Sequence, residues 1–150
     1  MVKVYQTIFG LENGNCWQAV MASMLEINIE EVPHFVSLGN DCFTVYTEFL
    51  KSHGYVDERQ IPNPRRLKHF GPDSFRKEIE KATGINGYFK ACVYSPGFFT
   101  PALMCTNNEP IHAVVIDKNF NIVHDPNPEY AGISSYPLSE YLGYNGVISF

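Results

Sequence analysis

The stretch Asn13-Gly14-Asn15-Cys16-Trp17-Gln18-Ala19-Val20 decides how this chain is read. A small polar turn ends in it and an apolar helix begins, with a cysteine at the join. Beyond Cys16, apolar side chains recur at Trp17, Val20, Met21, Met24 and Leu25, the spacing of one buried helix face. Asn15 is a suitable N-cap, which puts Cys16 in the first helical position. A helix start carries about half an elementary positive charge, which favours thiolate over thiol. A cysteine there, beside an exposed turn, stands where a nucleophile would. The same position also suits a small hydrophobe packed at a helix start.

Outward from this helix (16 to 26), the segment 2–9 reads as a short strand or an extended arm. One helical turn is expected before Pro33, then a turn at Gly39-Asn40-Asp41. A second helix is predicted over 42–53, with Phe43, Tyr46, Phe49 and Leu50 on one face and Gly54 as its stop. The Pro-, Arg- and Asn-rich stretch 55–72 reads as strand fragment plus loop, and a third helix is predicted from 73 or 74 to 82. From there the apolar period changes from 3.6 to 2. Strands are predicted over 88–94, 111–116, 120–125 and 144–150. The second and third of these form a hairpin about Asp117-Lys118-Asn119, closed by Pro126 and Pro128. Helices first and antiparallel strands later make an α+β fold in a single domain, 1–150.

The chain has 150 residues, 45% of them apolar and 14% aromatic, which is enough for one sizeable core. The net charge of −5 argues against a nucleic-acid footprint; the one basic run, Arg65-Arg66-Leu67-Lys68, reads as a solvated loop. No apolar run approaches the ~20 residues needed to span a membrane. Cys16, Cys42, Cys92 and Cys105 form no C-x-x-C pair, so a structural zinc site is not expected. With no signal peptide at the N-terminus, a cytoplasmic protein with reduced thiols is the expectation. No cofactor pattern is read.

A nucleophilic cysteine needs a base, and the base needs an acceptor that fixes its tautomer. His112 opens the first strand of the hairpin and Asp125 closes the second. In an antiparallel hairpin these positions are neighbours, which is how a base and its orienter are placed. Each residue is ordinary alone: a strand-end His is commonly structural, and an Asp before Pro is commonly a turn residue. The three together, in the order Cys, His, Asp, are much less common. Other groups have blander readings. His34 is expected to pack or cap, although a zinc site of Cys16, His34, His112 and Asp125 can be drawn. His124 should point to the opposite sheet face from Asp125. Cys42, Cys92 and Cys105 are expected to be buried and unreactive.

The segments Gly14-Asn15-Cys16-Trp17-Gln18-Ala19, His112-Ala113-Val114-Val115-Ile116 and His124-Asp125-Pro126 resemble the active-site turn and the His and Asp strands of papain-like cysteine peptidases. Glu31-Val32-Pro33-His34-Phe35 is similar to the segment that follows that turn in the bacteriocin-processing peptidase-like branch and in small papain-like proteins of bacteria and phages. The resemblance spans residues 6–35 and 110–128 and leaves the middle unassigned. It implies a papain-like domain whose N-terminal helix, carrying the cysteine, packs on a C-terminal antiparallel sheet. It implies Cys16 as nucleophile, His112 as general acid and base, and Asp125 as orienter, acting on a peptide or protein substrate. It also implies an oxyanion donor in a glutamine upstream of the cysteine. Here Gln6 precedes Cys16 by ten residues, more than the family's usual spacing, so Gly10 and Gly14 must fold the extra residues aside. Gln18, inside the helix, should point elsewhere. The backbone N–H of Cys16, free at the helix start, is a second donor. The aromatic loop 95–104 is then a substrate wall or lid. The rival reading is a non-enzymatic binder on the same scaffold, such as a phage protein that engages a host component.

Overall fold

The computed structural model describes residues 1–10, 13–55, 80–93, 112–119 and 121–130. Its main elements are helices α1 (Cys16–Leu25) and α2 (Cys42–Ser52) and strands β1 (Phe89–Val93), β2 (His112–Ile116) and β3 (Ile122–His124). Short 3₁₀ turns lie at Ile29–Glu31, Phe35–Asp41 and Pro128–Tyr130. The three strands form one antiparallel sheet in the order β1-β2-β3. Helices precede the sheet, so the described part is α+β. Most of the expected third helix, the loop 95–104 and the strand 144–150 lie outside the described residues. So does Cys105.

α1 is the centre of the described residues. The periodicity predicts one buried face, yet Ala19, Val20, Met21, Ala22, Ser23 and Met24 are all buried, while Trp17 and Leu25 are half-buried. A helix apolar all round is one that other elements surround. β1 and β2 pack on it, as do the 3₁₀ turns that follow it. The shared core joins Val20, Met21 and Met24 to Phe35, Tyr46, Phe49 and Leu50, and to Ala113 and Val115 of the sheet. The helix ends where Glu26 turns left-handed (φ 59°) and returns its N–H to Ala22 O.

In α2, Tyr46, Phe49 and Leu50 are buried as expected, but Phe43 is exposed. Its ring lies 5.8 Å from that of Trp17, at the rim of an aromatic group in which Trp17 also meets Phe35 and Tyr46. Trp17 further supports Lys90, whose ammonium sits 4.5 Å from the indole centroid.

β1 pairs with β2 from Phe89↔Ile116 to Val93↔His112. β2 turns into β3 through Asp117, whose Oδ1 accepts the N–H groups of Asn119 and Asn121. This is the hairpin read from the sequence.

The segment 1–8 forms no strand. It runs as an extended arm between α1 and β3. Val4 N–H donates to Ser23 Oγ (2.9 Å), the buried His124 Nε2 donates to Val4 O (2.7 Å), and Gln6 N–H donates to Pro126 O (3.0 Å).

Candidate active site

The end of the arm and the start of α1 form one polar joint. Asn15 N–H donates to Ile8 O (3.1 Å) and Gly14 N–H to Gly10 O (3.0 Å). Gly10 has φ 122°, and a Cβ on Gly14 would stand 2.6 Å from Gly10 O. Both glycines are therefore demanded by the backbone: one by its conformation, the other by a close approach. Among the described residues, Gly14 and Asn15 thus return to the end of the arm at Gly10 and Ile8.

Asn15 does not cap α1. It has φ −103° and ψ 30° and makes no side-chain cap bond. Its side chain is turned to the arm instead, where Oδ1 accepts Thr7 N–H (3.0 Å) and Ile8 N–H (2.9 Å). Two consequences follow for Cys16. The helix still begins there. Its first N–H groups are not taken by the Asn15 side chain, and the Trp17 backbone N–H is directed at the Cys16 sulfur.

Cys16 lies under β2. It is 7% exposed. Its Sγ accepts Ala113 N–H at 3.5 Å and is hydrogen-bonded to the His112 imidazole. His112 Nε2 donates to Asp125 Oδ1 at 2.7 Å, which leaves Nδ1 as the nitrogen turned to Cys16. His112 and Asp125 are 6% and 1% exposed, so this bond is shielded from water. Asp125 Oδ1 also accepts Asn127 N–H (2.8 Å), which fixes the carboxylate as the chain leaves the sheet at Pro126.

The electrostatics follow from these contacts. Burial alone would raise the Cys16 thiol. The His112 hydrogen bond and charge, with the N–H groups of Ala113 and Trp17, outweigh it and hold the thiol below its ordinary range. Burial alone would lower His112. The hydrogen bond to Asp125, then that to Cys16, and the charges of both, push it up to about 9. The proton between sulfur and imidazole is thus better held by the imidazole. Both shifts favour the thiolate–imidazolium form of the pair, a form suited to attack on an electrophilic carbon.

Gln6 lies at the same joint, at the end of the arm. It is 9% exposed; its Nε2 makes only a long 3.4 Å bond to Ile8 O, and its Oε1 has no hydrogen-bond partner among the described residues. Its carboxamide is thus weakly committed. Its backbone is tied beside Asp125 through Pro126 O.

The remaining candidates lie apart. His34 is half-buried with Nε2 3.4 Å from Gly14 O, packed against the pre-cysteine turn. His124 is buried, 1% exposed, and edge-on to Tyr5. Burial, with Lys3 nearby, holds it below the ordinary imidazole range despite its bond to Val4 O. Cys42 is a half-buried free thiol. No three His, Cys, Asp or Glu side chains are grouped to hold a metal ion among the described residues. No described helix is long and apolar enough to cross a membrane.

One part of the joint is absent from the residue-by-residue reading. Gln18 points away from Cys16, as expected, but it braces Asn15. Its Oε1 accepts Asn15 Nδ2–H (3.1 Å), while its Nε2 donates to Ile29 O and Val32 O at 3.0 and 2.7 Å. The Asn15-x-x-Gln18 spacing is that of a capping box and could have marked the pair. No family model, curated protein or solved structure matches this chain.

Proposed function

We propose that this chain is a papain-like thiol hydrolase or acyl transferase that cleaves a peptide, isopeptide or amide bond. The observation that carries the reading is the contact of Cys16, at the start of α1, with a His112 imidazole anchored on buried Asp125 at 2.7 Å.

The Cys16 thiolate attacks the acyl carbon. The carbonyl electron pair moves to oxygen, where N–H groups at the α1 start and the Gln6 carboxamide are the donors at hand. The oxyanion collapses and the C–N bond breaks. The departing amine takes the proton from His112 Nδ1, leaving a Cys16 thioester. Water or a second amine then attacks the thioester, giving its proton to His112, and the thiolate leaves. Asp125 stays a carboxylate throughout and keeps Nε2–H in place.

The test is labelling with a panel of acyl electrophiles and with iodoacetamide, the modified residue identified by mass spectrometry. Wild type loses one fast-reacting thiol near neutral pH, mapped to Cys16. Cys16→Ala shows none, and His112→Ala slows it by at least tenfold. Uniformly slow thiols that ignore His112 would overturn the reading and leave a non-enzymatic binder.

A further inference from the structure

We infer that Asn15 is the positioning residue of this site, locking the Gln6 segment to the nucleophile; the inference rests on the thiol-acylation reading above. The residue before Cys16 would ordinarily spend its side chain on the helix N–H groups. Asn15 instead spends it on another segment. Its Oδ1 accepts two successive N–H groups, of Thr7 at 3.0 Å and Ile8 at 2.9 Å. Its Nδ2 donates to Thr7 Oγ1 and to Gln18 Oε1, both at 3.1 Å. All four bonds come from a side chain that is 98% buried, with 2% exposure. Oδ1 uses both lone pairs and Nδ2 both hydrogens, so the group has no capacity left.

The orientation of the carboxamide is not free to reverse. Gln18 Nε2 is spent on Ile29 O and Val32 O, which forces Gln18 Oε1 to face Asn15 as an acceptor. Asn15 must then present Nδ2 to Gln18 and Oδ1 to the arm. The brace therefore runs from the turn after α1, through Gln18 and Asn15, to Thr7. Gln6 is the next residue. Its other neighbour contact is Pro126 O, adjacent to the carboxylate that holds His112. Asn15 touches neither sulfur nor imidazole in any contact described. It fixes how far the Gln6 carboxamide lies from the carbon that Cys16 attacks.

This role separates two rates. Alkylation by iodoacetamide needs only the thiolate and its imidazolium. Acylation by an activated ester such as p-nitrophenyl acetate, or by an acyl thioester, also needs oxyanion donors. Removing one such donor typically costs on the order of 10²–10³ in rate. Asn15→Ala is expected to keep the iodoacetamide rate and its pH profile within about threefold of wild type, while acylation falls by about 30-fold or more. Gln6→Ala should lower acylation to a similar extent. Asn15→Ala with Gln6→Ala should be no slower than the worse single variant, because both changes remove one device. Asn15→Ala with unchanged acylation overturns the inference. So does a parallel fall of both rates, which marks a structural role only. Multiplicative losses in the double variant also overturn it. If Asn15→Ala does not fold, Thr7→Val decides the matter: it removes only the Oγ1 bond, and acylation must fall at least threefold with alkylation unchanged. A wild-type protein whose Cys16 alkylates slowly and independently of His112 refutes the enzyme reading itself. Fast alkylation with unaltered acylation in Asn15→Ala refutes the positioning role alone.

Discussion

Asp125→Asn isolates the charge behind the imidazole. Asp125 Oδ1 accepts both His112 Nε2–H, at 2.7 Å, and Asn127 N–H, at 2.8 Å. An asparagine Oδ1 can accept the same two donors, so the ring stays oriented while the negative charge goes. Hydrogen bonds to charged groups are worth about 1.5–3 kcal/mol, and neutral ones about 0.5–1.5. The difference, about 1–1.5 kcal/mol, corresponds to about one pKa unit. Both side chains are buried, so solvent screening does not reduce it. His112, raised to about 9 in the native chain, should therefore titrate about one unit lower in Asp125→Asn. Asp125→Ala, which also frees the ring, should lower it at least as far and slow acylation more than Asn does. The assay is a pH titration of the histidine Cε1–H resonances by NMR, with His112 assigned from the signal lost in His112→Ala. The upper inflexion of the iodoacetamide rate on Cys16 should move with it. An imidazole that still titrates at about 9 in Asp125→Asn would refute the argument, because the carboxylate would then not be what holds the proton.

Three further outcomes follow from the same contacts. His124 has its folded value depressed, so its contribution to stability is fully present above the unfolded value of 6.5 and is lost as pH falls through the folded one. The urea midpoint of wild type should drop more between pH 7 and 5 than that of His124→Gln, which keeps a donor for Val4 O and does not titrate; equal drops would refute this. Gly14→Ala puts a Cβ 2.6 Å from Gly10 O, a backbone atom, and should cost about 1–3 kcal/mol in urea unfolding, whereas an unchanged midpoint would mean the turn can open freely. Ser23→Ala strands Val4 N–H beside the buried helix and should cost about 1–3 kcal/mol, read the same way; a change under half of that would mean that the arm is held elsewhere.

What the sequence discloses and what it withholds divide along physical lines. α1 and the β2–β3 hairpin are legible because period and turn chemistry are local: the apolar run after Cys16, and the Asp117-Lys118-Asn119 turn between two alternating segments. The closeness of His112 and Asp125 is legible too, since antiparallel pairing brings together residues 13 apart. The width of α1 burial is not, because periodicity reports the face a helix shows to one partner and here the sheet and the aromatic group of α2 both claim it. Phe43 shares the helix face of Tyr46 and Leu50 in sequence, but it stands in the first turn, at the rim of the core. Asn15 is the instructive case. A cap residue chooses between its own helix and whatever backbone passes nearby. Nothing in the residues around 15 reveals that Thr7 and Ile8 offer their N–H groups there.

The placement of His112 and Asp125 on one hairpin, and of Cys16 on a distant helix, makes the loop-closure costs of their contacts unequal. Closing the loop between His112 and Asp125 spans 13 residues, whereas bringing β2 to the sulfur spans 97. By loop-closure entropy alone the second step costs about 2 kcal/mol more. The His112–Asp125 pair is therefore closed by a short loop, whereas its contact with Cys16 needs a long one. On the proposed thiol-acylation reading, reactivity toward acyl groups would then depend on the docking of α1 against β2.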